Sequence, residues 1–160
     1  MLTGRAGGGR GEKGLTYVEV MITIAILLIL AGAAMPVART AIKRQKEMEL
    51  RGALREMRNA IDMYKKYSDQ GLLPQKGLQS EGYPEDLESL VEGSSLVGTV
   101  DKKIRFLRRI PKDPMTNSHD WGLRSLQDDP NSMSWGRQNV FDVYTQSEAT
   151  ALDGTTYNTW

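Results

Sequence analysis

Glu19 is the residue whose placement most asks for chemistry. In GEKGLTYVEVMITIAILLILAGAAMP, Gly11 to Pro36, it stands at the mouth of a run in which Val20 to Ala38 carries no charge. A carboxylate at such an apolar boundary is costly unless a cation answers it. The other candidates are sparse. His119 is the single histidine, beside Asp120 in a turn-rich stretch, where one imidazole reads as solvated rather than as a general base. Cysteine is absent, which excludes disulfides, thiolate metal sites and a Cys nucleophile. Gly7-Gly8-Gly9 follows no strand pattern and carries no Walker lysine, so it is no phosphate loop. The remaining carboxylates are scattered as solvated faces are, not paired for acid-base work. The chain reads as a non-enzyme.

The elements that position Glu19 are unevenly apolar. The 160 residues leave room for one small domain and an appendage. A formal net charge of +1 provides no basic field for phosphates, so no nucleic-acid partner is expected. As a helix at ~1.5 Å per residue, Val20 to Ala38 would extend about 28 Å, enough to cross a bilayer core. Its many Ile and Leu residues make lipid partition favourable by roughly a few kcal/mol. A buried soluble helix is the weaker reading. An ordinary secretory signal is another, with Arg5, Arg10 and Lys13 as basic flank and Ala31-Gly32-Ala33 as cleavage site, giving a soluble protein that starts near Ala34. That reading leaves Glu19 without a purpose.

A third reading uses every residue. Lys13-Gly14-Leu15-Thr16-Tyr17-Val18-Glu19 resembles the processing site of type IV prepilins and type II secretion pseudopilins. The resemblance implies that residues 1–14 are a leader, that prepilin peptidase cuts between Gly14 and Leu15 and N-methylates Leu15, and that the apolar helix is retained. Leu15 stands where the family most often has Phe. The cut would create an α-amino group four residues before Glu19, on the same helical face. The resemblance further implies that Glu19 docks on the Leu15 amine of the adjacent subunit during filament assembly. Arg39, Lys43, Arg44 and Lys46 flank the apolar run as densely as the leader does, so charge bias gives no orientation. From the resemblance alone come a single-pass anchor in the bacterial inner membrane and a periplasmic C-terminal domain.

Beyond the anchor, Leu50, Ala53, Leu54, Met57, Ala60, Ile61 and Tyr64 recur at spacings of three and four, while Arg51, Arg55, Glu56, Arg58, Asp62 and Lys65 take the other positions. Segments 15–38 and 39–70 therefore read as one spine helix, first apolar and then amphipathic, with Gly32 and Pro36 marking a kink. A sustained coiled coil is a poorer fit, because Gly52, Arg58 and Asn59 interrupt any seam. Gly71 and Pro74 end the helix. Pro84-Glu85-Asp86 opens a short helix that Gly93 stops. Trp121 to Leu126 and Asn139 to Thr145 are strand-like, with Asp128, Asp129, Pro130, Asn131 and Gly136 as turn formers between them. About three short antiparallel strands against the spine are expected, with Trp121, Phe141 and Val143 in the core and Trp160 sealing it.

Leu107-Arg108-Arg109-Ile110-Pro111-Lys112-Asp113-Pro114, with Asn117 following, resembles the loop before the small sheet of the major, G-type pseudopilins. Met115, Thr116, Asn117 and Ser118 depart from that family's aromatic-Gly-Asn-Pro continuation. Phe141 to Trp160 resembles its last strands and Trp-containing tail. The resemblance implies a pilin-like α+β fold, a long N-terminal spine helix packed on a small antiparallel sheet within 71–160. It also implies a helical homopolymer, the pseudopilus of type II protein secretion. The implied partners are minor pseudopilins, prepilin peptidase, the inner-membrane assembly platform with its ATPase, and the lipid bilayer. Some G-type members hold Ca²⁺ in the loop matching Ser147 to Gly154, where Ser147, Glu148 and Asp153 would supply oxygens; an ordinary Asp-Gly turn is the alternative. A type IV pilin for adhesion, motility or DNA uptake is the nearest alternative function, and a soluble secreted protein the next.

Overall fold

The computed structural model describes residues 14–74, 77, 80–98 and 103–160; within its long helix, the side chains of residues 33–36 lie outside that description. In chain order the elements are α1 (Tyr17–Asp69), α2 (Glu88–Glu92), β1 (Ser94–Ser95), β2 (Lys103–Ile104), β3 (Gly122–Arg124), β4 (Asp142–Tyr144) and a closing 3₁₀ turn, Tyr157–Thr159. The chain divides into two units at Ala41 and Ile42. The fold is α+β, a long apolar-to-amphipathic helix followed by small antiparallel sheets.

In the first unit the helical backbone continues through Gly32 and Pro36. The Pro36 side chain, on which the expected kink turns, is outside the described residues. Residues 1–13 of the expected leader are outside them as well. The described apolar side chains are uncovered, from Leu15 at 71% exposure to Leu30 at 61%.

In the second unit α1 turns its apolar stripe inward. Leu50, Ala53, Leu54, Met57, Ala60, Ile61 and Tyr64 are all buried, against Leu73, Leu87, Leu90, Leu107, Trp121, Val140, Val143, Ala151 and Tyr157. Full burial of one such aliphatic side chain contributes about 1.5–3 kcal/mol, so this stripe dominates the favourable side of folding. Its end is a Schellman cap: Leu72 N–H donates to the Tyr67 carbonyl at 3.1 Å and Gly71 N–H to that of Ser68 at 2.9 Å. Gly71, at φ 67°, supplies the left-handed residue that this cap requires.

α2 is shorter than expected. Asp86 does not sit in its first turn but caps it from outside, its Oδ1 accepting the Ser89 N–H at 2.8 Å. Nor is there one sheet of three strands. β1 pairs with β2, Ser94 opposite Ile104, and β3 pairs with β4, Gly122 opposite Tyr144 and Leu123 opposite Val143. The Tyr144 ring lies over Gly122 so closely that a Cβ there would fall 2.2 Å from it, which explains a glycine in the strand. Between β3 and β4, Asp128 folds the turn by accepting N–H bonds from Ser125 at 2.7 Å and Gly136 at 3.0 Å. Those amides hold its carboxyl below the ordinary carboxylate range.

Trp121 and Val143 are buried, but Phe141 is 42% exposed. It lies one residue before β4, its N–H donating to the Arg124 carbonyl at 2.8 Å, and its ring stands edge-on to Tyr83 at the rim of the core, centroids 5.3 Å apart.

The loop carrying Leu107 to Pro114 is organised by Asp113, which is completely buried. Its carboxylate accepts bonds from the Met115 N–H at 2.8 Å and from the hydroxyls of Thr116 and Thr145. Its backbone carbonyl accepts the N–H of Asn117, which is left-handed at φ 59°. Trp121 Nε1 donates to the Pro111 carbonyl at 2.9 Å, tying the same loop to β3. Replacing Asp113 by Ala strands the buried Thr145 hydroxyl, removes the acceptor of two part-buried bonds, and is expected to cost about 2–4 kcal/mol. Denaturant unfolding of the detergent-solubilised chain, followed by tryptophan fluorescence, measures it.

Candidate assembly site

The first turn of α1 is built by a capping pair. Thr16 precedes the helix and its Oγ1 accepts the Glu19 N–H at 3.3 Å, while its carbonyl accepts the Val20 N–H at 3.1 Å. Thr16-Tyr17-Val18-Glu19 is thus a T-x-x-E capping sequence, and an acid in a first helical turn is favoured by the orphan N–H groups there. The T-x-x-E spacing was the signal that could have identified Thr16 from the sequence. Gly14 and Leu15 are exposed immediately before the cap. The Glu19 side chain is exposed, and among the described residues its carboxylate has no hydrogen-bond or ion-pair partner. Gly32 is exposed with open space around its Cα. The whole segment is long and apolar enough to cross a membrane, and none of its apolar window is buried within the chain.

The second unit contains a polar clasp that the sequence reading missed. Lys43, Glu47 and Arg51 follow one another at i, i+4 on α1 and each reaches the last segment of the chain. Lys43 Nζ donates to the Thr150 carbonyl at 2.6 Å. Glu47 Oε1 accepts both the Leu152 N–H at 2.8 Å and the Tyr157 hydroxyl at 2.9 Å. Arg51 lies 4.3 Å above the Trp160 ring and 3.7 Å from Asp153 Oδ2. Two turns on, Arg58 donates to both oxygens of Asp142, at 2.7 and 3.3 Å, and to the Val143 and Trp160 carbonyls at 3.1 and 2.9 Å. Arg58 is therefore not simply a solvated residue of the polar face. Trp160 is half-buried, edge-on to Tyr157 at 5.1 Å, and does close this corner of the core.

The oxygens expected for a divalent ion are differently employed. Asp153 Oδ1 accepts from both the N–H and the hydroxyl of Thr155, at 2.9 and 2.6 Å. The Thr155 hydroxyl, its N–H and then Arg51 hold the Asp153 carboxyl below its ordinary range. Ser147 Oγ accepts the Ala149 N–H at 3.4 Å, and Glu148 is exposed. Among the described residues no three acidic or histidine side chains gather as metal ligands. His119 Nδ1 lies 3.2 Å from the Ile110 carbonyl, whereas Asp120 Oδ2 takes the Ser118 hydroxyl; the two do not pair with each other.

The chain is similar to two curated relatives. Type II secretion system core protein G of Escherichia coli (strain K12) is 27% identical over 113 residues, which cover 68% of this chain and 70% of the relative. The protein of the same name from Pseudomonas aeruginosa (strain PAO1) is 25% identical over 142 residues, covering 85% and 83%. These matches support a G-type pseudopilin. No protein-family model and no solved structure matches significantly. The relatives are structural pseudopilins of a secretion system and not enzymes. The uncovered apolar helix fits anchoring in the inner membrane.

The clasp carries a pH signature. Burial, reinforced by the hydrogen bond to Glu47 and its charge, raises the Tyr157 hydroxyl from 10.0 to about 12. The folded state keeps this proton where the unfolded chain loses it, so the stabilisation is complete below pH 10 and is lost as pH rises toward 12. Unfolding measured at pH 9 and above 11 should show this loss in the wild type and a smaller one in Tyr157→Phe. At neutral pH the same variant should cost about 1 kcal/mol for the missing hydrogen bond.

Proposed function

We propose that this chain is a subunit that polymerises into a periplasmic pseudopilus for type II protein secretion. Prepilin peptidase cuts between Gly14 and Leu15 and methylates the new N-terminus. Segment 15–38 anchors the subunit in the inner membrane until the assembly platform and its ATPase draw it into the filament, which minor pseudopilins join. The observation that carries this reading is the start of α1: a T-x-x-E cap, then an apolar helix whose described side chains are exposed, in a chain similar to two core G proteins.

The cap also explains why an acid can stand there. Thr16 engages the backbone N–H of Glu19, not its carboxylate, so the carboxylate remains available for the Leu15 amine of a neighbouring subunit. As the subunit enters an apolar filament interior, that pair would satisfy two charges that are costly apart. The apolar side chains of Val18 to Leu30 would exchange lipid for one another.

Glu19→Ala, Glu19→Val and Glu19→Gln all keep the N–H that Thr16 holds, so cleavage and membrane insertion should be unchanged. Incorporation into sheared or cross-linked filaments should fall by about tenfold or more, which is the effect of roughly 1.4 kcal/mol per subunit contact. Wild-type incorporation of all three variants would exclude the pairing.

A further inference from the structure

We infer that the loop from Thr150 to Trp160 closes without a divalent ion, the Arg51 guanidinium occupying the place of the cation. The family resemblance gives some members calcium in the overlapping loop Ser147 to Gly154, and the residues present here do not fit it. Ca²⁺ takes six to eight oxygens, several of them carboxylates left open for it. Here Asp153 spends Oδ1 on two bonds from Thr155 and faces Arg51 with Oδ2. A second positive charge beside that guanidinium would be repelled, and among the described residues no group of three acidic or histidine side chains gathers to outweigh it; Glu47, the acid on the neighbouring Leu152 N–H, is already engaged by that amide and by the Tyr157 hydroxyl.

The arrangement has the parts of a closed site made of protein alone. Arg51 is held from two sides, by the Asp153 carboxylate and by the face of Trp160. Trp160 in turn donates its Nε1–H to the Thr155 hydroxyl at 2.7 Å, and that same hydroxyl donates to Asp153. Arg51, Trp160, Thr155 and Asp153 therefore form a ring of contacts. The planar guanidinium suits this position because it can stack and pair at once, which an ammonium does less well. An exposed ion pair contributes little by itself. The ring is effective because Lys43 and Glu47 fix the same loop two turns and one turn earlier on α1, through the Thr150 carbonyl and the Leu152 N–H. The Ala151 N–H donates to the Thr155 carbonyl at 2.7 Å, and Gly154 takes the left-handed conformation, φ 89°, that turns the chain between them.

Thermal unfolding of the full chain in detergent, in EGTA and in millimolar CaCl₂, together with hydrogen exchange of the 150–157 amides, tests this without reference to filament assembly. The transition and the loop's protection should be the same in both media. Arg51→Ala should speed exchange at Leu152 and Thr155 severalfold while the Leu50 to Tyr64 stripe keeps its protection, and Arg51→Lys should recover part of the loss. A transition several degrees lower in EGTA, or loop protection gained only with CaCl₂, would overturn the inference. So would unchanged loop exchange in Arg51→Ala. A calcium-free loop in a chain that fails to enter filaments would count against the proposed function alone.

Discussion

Among the described residues, the rest of Ile42–Trp160 folds against the face of α1 from Lys43 to Tyr64. The other elements are too short to persist by themselves: α2 has five residues, β3 and β4 three each, β1 and β2 two each. Helices below about 12 residues and isolated two-stranded hairpins are marginal in water. Their stability has to come from tertiary contact. α1 provides it in two adjacent strips. The apolar strip buries the stripe from Leu50 to Tyr64, and the polar strip of Lys43, Glu47, Arg51 and Arg58 takes hold of β4 and the closing segment through backbone and side chains alike. The first supplies most of the free energy. The second selects one arrangement, because hydrogen bonds and stacked rings are directional where hydrophobic burial is not.

The same helix changes character along its length. From Val18 to Leu30 the apolar side chains have no protein cover, an exposure that only lipid or other apolar helices can relieve. At its start Thr16 and Glu19 divide the work: the hydroxyl satisfies a helix N–H and the carboxylate stays unspent. A cap that consumed the acid would stabilise the helix equally well and leave nothing for a partner.

The helical part of this fold was largely legible. The spacing of Leu50, Ala53, Leu54, Met57, Ala60, Ile61 and Tyr64 marked the buried face residue by residue, because a 3.6-residue period is a local property. Gly71 and Gly93 marked helix ends because each stop needs a positive φ. Strands β3 and β4 fell inside the stretches with strand-like composition. What escaped depends on partners far away in the chain. Arg58 looks like any residue of a solvated face until Asp142, 84 positions later, meets it. Ser94 and Ser95 carry no strand preference, and their pairing with Lys103 and Ile104 comes from chain geometry around α2. Phe141 has core composition, yet it ends at the rim because the strand begins one residue after it. The loop at Asp153 matches a calcium loop only by family resemblance, and Arg51, the cation that faces its carboxylate, lies about a hundred residues upstream, out of reach of local reasoning. Thr16 was within reach of local reasoning, as the T-x-x-E spacing is visible without any structure.

The account joins an assembly helix to a domain folded on its own continuation, and it stands or falls on whether residues 15–38 remain in the working protein. The most direct measurement is the intact mass and N-terminal sequence of the protein taken from membranes of cells that contain the prepilin peptidase. The account predicts a chain that begins at N-methylated Leu15 and keeps the whole of α1. A mature chain that begins near Ala34 or Met35 would contradict it, since Glu19 and the apolar run would then have been discarded as an ordinary signal.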